Sequence, residues 1–122
     1  MGTPAQHKAK AEHHRRFLAS ISDEFPDWLC TVAFYTAVEL IEMALAERNF
    51  HSKSHEDRKR FVNLHLQRIF KAYHTLYNAS LDVRYEPEEH WPSISEVRDI
   101  LIGEKLRHIE GFIESRQRSQ SP

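Results

Sequence analysis

Trp28–Arg58 reads WLCTVAFYTAVELIEMALAERNFHSKSHEDR. Its first part is apolar at nearly every position: Trp28, Leu29, Val32, Phe34, Tyr35, Val38, Leu40, Ile41, Met43 and Leu45. A helix that is apolar all round has to be covered on more than one side, so this segment predicts the central helix of an all-α domain. A second subunit is one expected source of that cover. Glu39 and Glu42 interrupt the apolar surface and are expected to face solvent. The segment then runs into a short polar turn that gathers Arg48, Asn49, His51, Ser54, His55 and Arg58.

Working outward, Thr3 is expected to cap a first helix that opens at Pro4 and runs to about Ser22. His14, Phe17, Leu18, Ile21 and Phe25 mark its inner side at helical spacing. Pro26 and Asp27 open the central helix, which reaches about Arg48. Ser54 with Asp57 is a capping-box variant that starts a third helix near His55. Val62, Leu66, Ile69, Tyr73 and Leu76 carry that helix unbroken to about Ser80. Leu81–Pro92 is expected as a loop. Ser93 with Glu96 opens a fourth helix, with Ile102, Leu106, Ile109 and Ile113 as its buried stripe. Gly103 falls inside that helix, where it costs roughly 1 kcal/mol against alanine and suggests a close contact. The reading is an antiparallel up-and-down four-helix bundle, with no alternation long enough for a sheet.

The chain has 122 residues, which suits one domain with one core: residues 1–116, followed by a flexible polar tail at 117–122. Lys plus Arg is 17 and Asp plus Glu is 18, for a net charge of -1, so no global positive field draws in nucleic acid. Any such binding requires a local patch. The single cysteine, Cys30, excludes an internal disulfide and is expected to be buried. The first 16 residues are polar, so no signal peptide is expected, and the longest apolar run is expected to be too short to cross a membrane. A cytoplasmic location follows as an expectation. The nine histidines carry no zinc-binding spacing, and neither a metal nor a cofactor is expected.

With these elements in place, AFYTAVELIEMALAERNFHSKSH, then Arg58, then YHTLYNASLDVRY, resembles the HEPN superfamily of small helical domains. The matching words are Ala33-Phe34-Tyr35-Thr36-Ala37, Ala44-Leu45-Ala46, Ser54-His55 and Val83-Arg84-Tyr85, and the resemblance covers about residues 10–113. It implies a bundle that commonly dimerises. Many HEPN proteins are metal-independent ribonucleases of toxin–antitoxin or phage-defence systems, some with a cognate antitoxin. Others lack the catalytic motif and bind nucleotide, RNA or a partner protein.

The HEPN motif is an arginine, usually with a polar follower, and a histidine separated from the arginine by four to six residues. Arg48, Asn49 and His55 fit it, with six residues between Arg48 and His55. RNA transesterification needs a base, an acid and charge stabilisation at phosphate, which histidine and arginine supply near neutral pH. The resemblance makes Arg48 the phosphate holder, His55 the acid–base and Asn49 the orienting group. His51, Arg58, Arg84, Tyr85 and His90 are the expected substrate-binding residues. Arg60 with His65, Arg68 with His74, Arg58 with His65, and Arg84 with His90 also satisfy the spacing. Tyr73, Tyr77, Tyr85 and Trp91 offer rings for bases or for packing, and His13–Arg16 forms a short basic run.

Overall fold

The computed structural model describes residues 2–120, and within them the protein is all-α, with five α-helices and no strand. These are α1 (Pro4–Ser20), α2 (Pro26–Ala46), α3 (His55–His65), α4 (Phe70–Tyr85) and α5 (Arg107–Gln120). A π-helix, Glu96–Leu106, runs directly into α5.

The expected caps form. Thr3 Oγ1 accepts from Gln6 N, and Gln6 Oε1 accepts from Thr3 N. Ser54 Oγ accepts from Asp57 N, while Asp57 reaches back to Lys53 N, one residue before the cap. Ser93 Oγ accepts from Glu96 N. Each satisfies backbone donors that a helix start leaves unpaired.

α2 is the axis of the fold, touching α1, α4, the π-helix and α5. Leu29, Phe34, Ile41 and Leu45 are fully buried, and burying each such side chain contributes about 1.5–3 kcal/mol. By length and composition α2 is able to cross a membrane, contrary to the expectation from apolar run length; in the fold 89% of its apolar window is buried. Glu39 and Glu42, expected in solvent, are 8% and 7% exposed. Conversely Phe17, Phe25 and Trp28, expected inside, are about half exposed at the corner between α1 and α2, because Leu18, Ile21 and Leu29 fill the core there.

α2 ends on an αL turn. Asn49 has φ 62, Phe50 N donates to Leu45 O at 2.9 Å and Asn49 N to Ala46 O at 3.0 Å. This is a Schellman motif, and asparagine is one of the few side chains that tolerates its left-handed position. Phe50 then folds in against Phe61 and stacks on His65, their ring centres 4.5 Å apart.

The expected continuous third helix breaks at Leu66, whose φ -132 and ψ 44 leave the helical region. A 3₁₀ turn, Gln67–Ile69, leads into α4. α4 extends through Tyr85, so Arg84 and Tyr85 belong to its last turn and not to a loop. In the final arm the buried residues are Val97, Leu101, Leu106, Ile109 and Ile113. The step of five from Leu101 to Leu106 records the wider π turn, which moves Ile102 off the stripe. A side chain at Gly103 would place its Cβ 3.0 Å from Arg98 O, a tight contact that the widened turn relieves by using glycine. α5 continues to Gln120, where the sequence suggested a tail from 117; Ser121 and Pro122 lie outside the described residues.

Candidate functional site

Glu42 on α2 is the foundation of the site. A buried carboxylate needs partners, and Glu42 Oε1 accepts from both Arg58 Nε at 2.7 Å and Ser52 Oγ. The Arg58 side chain is itself only 14% exposed. Burial works against its charge, but Glu42 and the Tyr73 hydroxyl outweigh that and hold its pKa above the ordinary arginine value. Tyr73 is pushed up by its own burial, against the opposing pull of Arg58.

Arg58 Nη1 also lies 2.9 Å from His55 Nδ1. A guanidinium has no acceptor, so Nδ1 must accept and the imidazole proton must sit on Nε2. Ser54 caps α3, and His55 and Arg58, three apart, fall on one face of it. His55 is exposed as a residue, but its inner edge lies against Phe34 at 6.0 Å and Tyr77 at 5.4 Å between ring centres. That burial, then the positive charges of Arg58 and Arg84, lower its pKa, opposed by Glu56. His55 is therefore a neutral imidazole at physiological pH, presenting an N–H.

Arg84 completes the group from α4. Its Nε donates to Ser80 O at 3.0 Å and its Nη2 to Ser80 Oγ at 3.2 Å, which holds the guanidinium on the helix surface. Tyr73, Tyr77, Ser80 and Arg84 step by four, three and four, so they share one face of α4.

The structure thus brings His55, Arg58 and Arg84 together, and it leaves the other expected site residues elsewhere. Arg48 N donates to Leu45 O, but the Arg48 side chain makes no hydrogen bond or ion pair among the described residues, and its charge acts on Arg116 of α5. Asn49 occupies the αL position that ends α2, a backbone reason for asparagine after the arginine. His51 is half-buried in the link after α2 and has no bond to His55. His90, in a 3₁₀ turn at Glu88–His90, stands 4.0 Å from Glu86 and Glu89. It lines a separate cavity of about 490 Å³ with Thr75, Asn78, Asp82 and Trp91. Ser52 and Ser80 were not anticipated as parts of the site, Glu42 was expected mainly in solvent, and Tyr73 was expected as a ring for bases or for packing. An isolated carboxylate in a helix apolar all round was the available signal for Glu42.

A second buried carboxylate, Glu39, holds α1. His7 Nδ1 is 2.8 Å from it and Lys10 Nζ 4.0 Å. His14 nearby is lowered by burial and by the charges of His13 and Lys10, against Glu39. Cys30 is buried, and that burial, with Asp27 and Asp82, pushes its thiol up to about 12. No group of three or more possible metal ligands occurs among the described residues. Against known protein families, curated proteins and solved structures, the chain finds no match.

Proposed function

We propose that this chain is a HEPN-like up-and-down four-helix bundle that acts as a homodimeric binding module. It takes a nucleotide or RNA phosphate at His55 and Arg84 over the Arg58–Glu42 strut. α3 with α4 counts as one arm, and the π-helix with α5 as another. The single observation that carries this reading is the bond from Arg58 Nη1 to His55 Nδ1. It leaves His55 as a fixed Nε2–H donor with no free basic nitrogen. Such a group binds a phosphate oxygen but does not take a proton from a 2′-hydroxyl. Arg84 adds a positive charge on the exposed side.

The homodimer draws support from the α1–α2 corner. Phe17, Ile21, Phe25 and Trp28 border an apolar hollow of about 330 Å³, an exposed apolar patch of the kind that marks association. The wider setting of a metal-independent defence system with a protein partner rests on the family resemblance, and the cytoplasmic location on the lone cysteine.

Metal-independent RNA cleavage is the second reading. What favours it is the depressed pKa of the exposed His55. It requires a phosphate to draw Arg58 away from Nδ1, and a two-fold axis to supply a second histidine.

The test is RNA binding and RNA cleavage in EDTA by wild type, Arg48→Ala and His55→Ala. The proposal expects binding without cleavage, lost in His55→Ala and kept in Arg48→Ala. Cleavage in wild type that disappears in His55→Ala would establish the nuclease reading instead. Binding untouched by His55→Ala would remove the site.

A further inference from the structure

Beside the phosphate site, α4 ends on a ring that nothing in the fold buries. Tyr85 is 74% exposed, more than any other large hydrophobic side chain among the described residues. Arg84 places its guanidinium carbon 5.5 Å from the centre of that ring. Because Ser80 fixes Arg84 through two hydrogen bonds, one face of Tyr85 carries a held cation and the other is open. A flat, open aromatic face next to positive charge is the arrangement on which a nucleobase stacks.

Charge then sets how much chain can follow. On the side towards α3 lie Arg84 and His55, close enough that the charge of Arg84 helps keep the imidazole neutral. On the other side the sequence turns acidic at once, with Glu86, Glu88 and Glu89 all exposed. His90, 4.0 Å from two of these carboxylates, is the nearest opposing group. A phosphate is welcome on the first side of Tyr85 and repelled on the second.

Resting on the phosphate-binding reading, we infer that the ligand is a single nucleotide, its base on Tyr85 and its phosphate at His55 and Arg84. A continuing strand would have to carry its next phosphate past the three glutamates. Tyr77 closes the inner wall beside His55.

Isothermal titration of the full chain with AMP, ribose 5-phosphate and a short single-stranded oligoadenylate tests this, with circular dichroism confirming each variant folded. AMP is expected to bind roughly tenfold tighter than ribose 5-phosphate, the increment of one stacked base. Tyr85→Ala is expected to erase that difference and Tyr85→Phe to keep it, while His55→Ala weakens both ligands alike. If Tyr85→Ala leaves AMP affinity unchanged while His55→Ala weakens it, the stacking inference falls and the phosphate site stands. If His55→Ala changes neither ligand, both fall. Oligoadenylate binding more than about tenfold tighter than AMP would overturn the single-nucleotide limit.

Discussion

Replacing Glu42 with glutamine keeps the shape of the side chain and removes its charge. Glu42 and Arg58 have side chains only 9% and 14% exposed, so the change strands a cation inside the fold. Breaking a buried pair by removing one partner costs about 3–5 kcal/mol. Arg58 keeps His55 and Tyr73 as partners and sits near the rim, which places the cost at the lower end, about 3 kcal/mol. For a chain of 122 residues that corresponds to a fall in Tm of roughly 10–15 °C. Urea unfolding followed by circular dichroism measures it, with the midpoint moving and the slope unchanged. The companion variant is Glu42→Leu with Arg58→Met, which removes both charges and fills the space. It is expected to recover to within roughly 1 kcal/mol of wild type, because a hydrophobic replacement of a buried pair is often neutral. A loss below about 1 kcal/mol for Glu42→Gln would refute the strut, on the scale of an exposed pair. So would a double variant that costs the sum of its two single changes.

Three further outcomes follow from the same geometry. The His55 imidazole should titrate below 6.5 by NMR, since burial and two arginines oppose its charge, and Arg58→Gln should raise the midpoint. The unfolded chain then takes up the proton first as pH falls, so stability is full above about 6.5 and declines as pH drops towards the folded midpoint; a wild-type midpoint above 6.5 would refute this. Asn49→Gly should leave the melting temperature nearly unchanged, whereas Asn49→Val should cost about 1–2 kcal/mol at a position with φ 62, and equal melting of the two would argue against the αL turn. Trp28→Glu should convert the proposed dimer to monomer in sedimentation experiments, and a variant that stays dimeric would exclude the α1–α2 corner as the interface.

The helical class, the caps and the central role of α2 were legible because they depend on local chemistry and on apolar content. The break at Leu66 was not. Val62, Leu66 and Ile69 stay buried through it, so the apolar period survives the interruption, and no glycine or proline marks it. The π-helix escaped for a related reason: Leu101 and Ile102 are both apolar, and only the packed structure shows which one faces inward. At the site, His55, Arg58 and Arg84 were visible as residue types. Their partners were not, because spacing along the chain selected Arg48, whereas the helix face brought Arg58 to the histidine. The buried positions of Glu39 and Glu42 depend on α1 and α3 covering them, and no pattern within α2 encodes that cover.

α1 packs along α2 and has no other extensive partner among the helices. Its buried residues are Ala11 and Leu18, and much of what else fixes it is ionic: His7 and Lys10 to Glu39, and Arg15 to Glu110 at 2.7 Å. Amide hydrogen exchange should accordingly be faster in α1 than in α2, with the gap widening in concentrated salt as the exposed charges are screened. Each opening uncovers one side of the most apolar helix in the chain, so the ionic strength of the medium becomes the setting on which self-association of the partly opened protein depends.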